Sequence, residues 1–218
     1  MTAPELTFVV GPNAAGKSSF IRTRINELEG CEIIMTDVYK GRTKEVFSQT
    51  LKARKDIILE TVFNDASFKD LIDEARNAGY HTSLIILLLD TIQQSIDRVA
   101  FRQIAQNGLA ISSGNIRINF NEGFKNVAQY FFYFDQADFV YTGVTAKNEM
   151  VMRFTGSALT EYRATDLQYP QKFADFSFRL GRLSKEAYDI IKTNRPYLRP
   201  EQEDALPPAK QLRKRLKI

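Results

Sequence analysis

The chain carries Gly11-Pro12-Asn13-Ala14-Ala15-Gly16-Lys17-Ser18, a G-x-x-x-x-G-K-S spacing, with a second hydroxyl at Ser19. Each fixed position has a chemical reason. The two glycines let consecutive backbone N–H groups turn inward around a β-phosphate, and a helix opening behind them adds its partial positive charge. Lys17 is spaced to reach β- and γ-phosphate oxygens, and the Ser18 hydroxyl is a ligand for Mg²⁺. The motif requires a strand before it and a helix behind it. Leu6-Thr7-Phe8-Val9-Val10 reads as that strand, and Ser19 to Glu29 as that helix. Residues 11–19 are therefore expected to bind a nucleoside triphosphate.

Polar groups end three further apolar runs, where a phosphate loop meets its second substrate. Asp37 follows the run Cys31 to Thr36, a second strand expected beside the first. A carboxylate there can take a proton from an attacking hydroxyl; the same position also suits a helix N-cap. Glu60 and Thr61 end the run that starts at Asp56. The acid can orient substrate hydroxyls or Mg²⁺-bound water, or it can make a buried structural hydrogen bond. Asp90 ends the run Leu84 to Leu89 but is followed by Thr91, not glutamate. An ATP-hydrolysing motor is thereby poorly supported, and Asp90 reads as the cap of a helix over 91–106.

Arg98 and Arg102 are four apart on that helix, hence on one face. The Asn/Gly/Ser-rich stretch 107–115 reads as an exposed loop, with Arg117 just beyond it. Guanidinium groups on a closing lid stabilise the charge spread over a transferring phosphoryl group. Arg102 and Arg117 are the candidates for that role, on a lid at about 107–117.

Strands and helices alternate through the first two-thirds of the chain. Ser67 to Ala78 has apolar residues at helical spacing and stops at Gly79. Thr82 to Leu89 is a continuous apolar run, as in a strand buried on both faces. Ile116 to Phe134 reads as a long aromatic-rich helix and Ala137 to Tyr141 as a fifth strand. The order predicts an α/β fold: a P-loop NTPase, kinase-like parallel sheet with helices on both faces and ligands at the strands' carboxyl ends. Beyond Gly143, Glu149 to Phe154 alternates like an edge strand, Leu167 to Gly181 is aromatic and charged, and Lys185 to Thr193 reads as a helix. The expected division is a kinase core over 1–143, a small C-terminal appendage over 144–200 and a basic tail over 201–218.

Composition sets limits. The 218 residues are 44% hydrophobic with 16 Phe and 9 Tyr, enough for one substantial core. The single cysteine, Cys31, allows no disulfide within the chain. No apolar run approaches membrane-spanning length and no basic-then-apolar leader opens the sequence, so a cytoplasmic protein is the expectation. The net charge of +4 comes from the last nine residues: Lys210, Arg213, Lys214, Arg215 and Lys217 supply five positive charges, leaving about −1 for residues 1–209. A nucleic-acid partner gets no support from the body of the chain.

The ordered set Gly11 to Ser19, Asp37, Ile58-Leu59-Glu60-Thr61-Val62-Phe63, Ala75-Arg76-Asn77-Ala78-Gly79-Tyr80 and Ser95-Ile96-Asp97-Arg98-Val99 with Arg102 resembles the zeta toxins and zeta-toxin-like P-loop kinases of bacteria over roughly residues 5–142. That resemblance implies ATP and Mg²⁺ as cofactors. It implies phosphorylation of a hydroxyl on a small, nucleotide-sugar-like acceptor, best a UDP-activated amino sugar, and an antitoxin protein as partner. By the same resemblance Lys17 holds the phosphates, Asp37 is the general base, Glu60 with Thr61 positions the acceptor, and Arg102 and Arg117 serve the lid. The chain departs from the family in two places: Asn107-Gly108-Leu109 stands where relatives carry Gly-Gly-His, and Asn119 where a lid arginine is usual. The alternatives are a nucleotide-binding module with a degenerate lid and a nucleotide or polynucleotide kinase. A GTPase switch lacks its Asn-Lys-x-Asp guanine motif.

Overall fold

The computed structural model describes residues 3–24, 28–106, 110–144 and 147–200. Eight strands form one sheet: β1 (Glu5–Val10), β2 (Glu32–Met35), β3 (Ile57–Thr61), β4 (His81–Leu88), β5 (Gln136–Tyr141), β6 (Glu149–Thr155), β7 (Ala158–Tyr162) and β8 (Tyr197–Leu198). Their order is β2-β3-β1-β4-β5-β6-β7-β8. The first five are parallel and the last three antiparallel.

Two expectations about neighbours change. The strand before Asp37 does not lie beside β1; β3 does, pairing Val9 with Glu60 and Val10 with Thr61. β2 is the edge, paired to β3. Local sequence could not decide this, because a crossover helix fixes the hand of a connection but not which neighbour it reaches. Nor is Glu149 to Phe154 an edge strand: β6 is flanked by β5 and β7, and its Met150, Val151, Met152 and Phe154 are buried. The short β8 takes the edge instead.

The helices are α1 (Lys17–Arg22), α2 (Thr36–Tyr39), α3 (Thr43–Lys52), α4 (Phe68–Asn77), α5 (Ile92–Gln106), α6 (Ser113–Tyr130), α7 (Gln168–Arg179) and α8 (Lys185–Lys192). They cover both faces of the sheet. Alternation along each strand sends Leu6, Phe8, Val10, Ile57, Leu59, Ile86 and Leu88 into one apolar cluster. Val9, Ile58, Ile85, Leu87 and Leu89 enter the other. The larger cluster is aromatic: Phe131, Phe139, Phe154 and Phe173 pack with ring centroids between 4.7 and 5.9 Å. Phe154 and Phe173 come from the C-terminal extension, so residues 144–200 share the core's sheet and its apolar packing.

Helix ends differ from the sequence expectation where side chains compete for backbone groups. α6 opens at Ser113, not Ile116, because Ser112 Oγ accepts the Asn115 N–H at 3.2 Å. The expected loop 107–115 is thus shorter, and its residues 107–109 lie outside those described. α6 ends at Tyr130 and tightens into a 3₁₀ turn over Phe131–Tyr133. Asp90 does not cap α5. Thr91 Oγ1 accepts the Gln94 N–H at 3.2 Å while Gln94 Oε1 accepts the Thr91 N–H at 3.4 Å, a capping box, and also the Asp90 N–H at 2.7 Å. Asp90 Oδ1 accepts from Tyr169 N at 2.7 Å, anchoring the first turn of α7. The basic tail 201–218 lies outside the described residues.

Candidate active site

The candidate phosphate loop, residues 11–16, runs from the end of β1 into α1. Gly11 has steric cause: a Cβ there would lie 2.2 Å from the Leu87 carbonyl oxygen. Gly16, at φ +92°, takes the left-handed turn that opens α1. The loop is braced from behind. Ser95 Oγ donates to the Asn13 carbonyl at 2.7 Å and Thr142 Oγ1 to the Ala15 carbonyl at 2.8 Å. Arg98 donates to the carbonyls of Thr142 and Ala14, at 2.5 and 3.4 Å. Arg98 therefore braces the loop, while Arg102, one turn on, stands nearer the cleft.

Lys17 is buried, and its Nζ donates to the carbonyls of Gly11 and Pro12 at 3.0 and 3.1 Å. Burial pushes its pKa down, nearby Glu60 and then Asp37 push it up, and Arg102 pushes it down again. Two cations and two carboxylates thus meet within electrostatic reach. Arg102 Nε is buried and has no hydrogen-bond partner among the described residues. An orphaned donor beside a buried ammonium is what an anion would satisfy.

Ser18 Oγ donates to Glu60 Oε1 at 3.0 Å. Burial drives the Glu60 pKa up, while Lys17 and the Ser18 bond pull it down. Glu60 is central, on β3 between Val9 of β1 and Met35 of β2. Thr61 ends the same strand, and its Oγ1 accepts the Phe63 N–H at 3.2 Å. Asp37 lies on the exposed short helix α2. The helix cap is Met35 and no side chain caps it, so Asp37 does not serve as the N-cap. Its carboxylate reaches Lys17 and Glu60 electrostatically.

The residues fit Mg²⁺ bound with a nucleotide. No group of three or more His, Cys, Asp or Glu side chains that could hold a metal occurs among the described residues. Magnesium keeps several waters and takes one or two protein oxygens plus phosphates. The Ser18 hydroxyl and the Glu60 carboxylate supply such oxygens side by side.

Arg117 is exposed on α6 and makes no hydrogen bond or ion pair with described residues. Its helix instead presents Asn119 to the cleft: Asn119 Nδ2 donates to Asn13 Oδ1 at 2.9 Å, and Asn64 Nδ2 donates to Asn119 Oδ1 at 2.6 Å. Sequence reading saw Asn119 only as a departure from a motif. Gly11, Pro12 and Asn119 also line a shallow pocket together with Val62, Leu88, Phe120, Phe124 and Tyr169.

No family model matches the chain, and no curated protein matches it in sequence. Solved structures do match. One comes from a study of the PezAT chromosomal toxin–antitoxin system of the human pathogen Streptococcus pneumoniae: TM-score 0.51, 12% identity, 68% of this chain and 72% of that one. A crystal structure of AvrRxo1-ORF1:-ORF2 with ATP matches at TM-score 0.57 and 12% identity, over 88% of this chain and 76% of that one. The Pnkp1/Rnl/Hen1 RNA repair complex matches at TM-score 0.50 and 20% identity, over 59% of this chain and 47% of that one. The 88% coverage extends beyond residue 143, so the C-terminal extension has a structural counterpart. At these identities the likeness is one of fold: the chain has a P-loop kinase-like fold, as its resemblance to the zeta-toxin-like kinases implies.

Proposed function

We propose that this chain is an ATP- and Mg²⁺-dependent phosphotransferase of the zeta-toxin type, acting on a hydroxyl of a small molecule. The carrying observation is the convergence on one loop of buried Lys17, the Ser18–Glu60 pair and the unpartnered Arg102 Nε. Asp37 accepts the proton as the acceptor oxygen forms its bond to the γ-phosphorus; the bond to the β-phosphate oxygen breaks and ADP leaves. Lys17 and the loop N–H groups hold the phosphates, and Arg102 stabilises charge on the transferring group. Ser18 would hold Mg²⁺, which would supply neutralisation of the developing phosphate charge. Glu60 and Thr61 position the acceptor, and Arg117 reaches the γ-phosphate only if α6 and the segment before it close as a lid.

The best acceptor is a UDP-activated amino sugar, with the protein acting in the cytoplasm as the toxin of a pair and an antitoxin as its partner. Neighbours solved as a toxin–antitoxin system and with ATP support the antitoxin and the ATP in that reading. A second reading, a nucleotide-binding module with a degenerate lid, draws on Arg117's exposure and on Asn119 in place of an arginine. A kinase acting on nucleotides or polynucleotides draws only on the RNA repair neighbour. Incubation with γ-labelled ATP, Mg²⁺ and either UDP-N-acetylglucosamine, a metabolite extract or an RNA oligonucleotide separates the three. Label on the sugar nucleotide is the expected result; label on no acceptor favours the binding module.

A further inference from the structure

We propose that Asn119 is a positioning residue that couples the phosphate loop to the loop after β3, so that nucleotide binding orders the segment facing the acceptor. The inference rests on the phosphotransferase reading. Both ends of one amide are engaged: Asn119 donates to Asn13 of the phosphate loop and accepts from Asn64, three residues beyond Thr61. An amide has one accepting and one donating end, whereas an arginine at this position has donors only. The one amide thus serves both loops at once, donating to the first and accepting from the second.

The far end of the bridge lies in a strained, clamped segment. Phe63 is buried at φ +61°, a conformation a bulky residue adopts only when its surroundings enforce it. α6 does the enforcing. Asn126 Nδ2 donates to the Phe63 carbonyl at 2.9 Å, and Gly123 allows so close an approach that a Cβ would sit 2.9 Å from the Val62 carbonyl. Positions 119, 123 and 126 lie on one helix face. The same segment begins at Glu60, which bonds Ser18.

The near end has a reason to move. Lys17 Nζ spends its protons on the carbonyls of Gly11 and Pro12, the two residues before Asn13. Phosphate oxygens entering the cradle compete for those protons, so the loop readjusts at 11–13. Asn13 passes that shift to Asn119, and Asn119 to Asn64 and α6. The Asn13 carbonyl, held by Ser95, ties α5 to the same residue.

Hydrogen exchange with a non-hydrolysable ATP analogue and Mg²⁺ tests this. In the parent protein the analogue should slow amide exchange at 61–66 and 113–120 by roughly fivefold or more, the low end of coupling between sites. Asn119→Ala should still bind the analogue but lose that protection. Asn64→Ala, which cuts only the outer bond, should lose it at 61–66 and keep it at 113–120. Protection that persists unchanged in Asn119→Ala overturns the coupling and leaves the kinase reading intact; so does a parent that binds with no protection at 61–66. A parent that does not bind the analogue overturns both. If Asn119→Ala fails to fold, the regional split in Asn64→Ala decides alone.

Discussion

A buried ammonium between two carbonyls, a serine hydroxyl on a buried glutamate and a guanidinium nitrogen without a partner are each costly alone. Together, among the described residues, they make an arrangement that suits an anion. If Asp37 is the base, Asp37→Asn keeps shape but cannot accept the proton. Turnover should fall by roughly two to four orders of magnitude with nucleotide affinity little changed. Single-turnover transfer and calorimetric binding check this, and joint loss of both would make Asp37 a binding or metal residue. Glu60 makes a pH prediction. Its folded pKa is raised, so between the unfolded value, about 4.3, and that raised value the folded state holds more protons than the unfolded one. Stability from this group is complete below the unfolded value and is lost as pH rises through the folded one. In ligand-free protein, Glu60→Gln should melt closer to the parent at low pH and gain on it as pH rises through that window. Parallel melting curves across pH would show that burial does not shift the Glu60 pKa on folding.

α6 is the element on which the site turns, because one face of it touches both the phosphate loop and the loop after β3. Gly123→Ala puts a methyl against the Val62 carbonyl, a backbone group that cannot rotate away. The expected cost is about 1–3 kcal/mol, read from urea unfolding, together with weaker phosphotransfer as the 62–64 segment is displaced. A stable, fully active variant would mean that α6 packs more loosely than its contacts imply. α7 is tied back by Asp90, whose carboxylate accepts the Tyr169 N–H. Asp90→Ala should cost about 0.5–2 kcal/mol, as a lost N-terminal helix bond does, while leaving nucleotide binding unaltered by calorimetry. Loss of nucleotide binding in that variant would place Asp90 in the site itself.

At the scale of the molecule, ligand binding and folding are linked. Mg²⁺–ATP at a hundred times its dissociation constant should raise stability by about 2.7 kcal/mol, or roughly 5–10 °C in melting temperature for a chain of this size. Lys17→Ala should melt near the parent without ligand and show no such rise, since Nζ bonds only loop carbonyls. A full shift in Lys17→Ala would remove the lysine from the phosphate site. No described helix is long and apolar enough to cross a membrane. The C-terminal extension adds β6, β7 and β8 to the common sheet and contributes rings to the common core, so truncation at 143 should expose Phe131 and Phe139.

What the sequence determined by itself was what depends on short range. Glycine spacing, with a strand before it and a helix behind it, specifies a tight strand–loop–helix turn whatever the rest of the chain does, and the apolar run over Thr82 to Leu89 specifies a strand buried on both faces. The strand, glycine loop and helix over residues 5–22 were legible for that reason. What required the tertiary structure was adjacency. That β3 and not β2 lies beside β1, putting Glu60 against Ser18, is decided by crossovers between distant segments. That Asp90 serves α7 and not its own helix depends on a partner 79 residues away. Asn119 is the clearest case: its bonds span 106 residues to Asn13 and 55 to Asn64, and an amide on a helix has no meaning until folding brings those two loops to its ends.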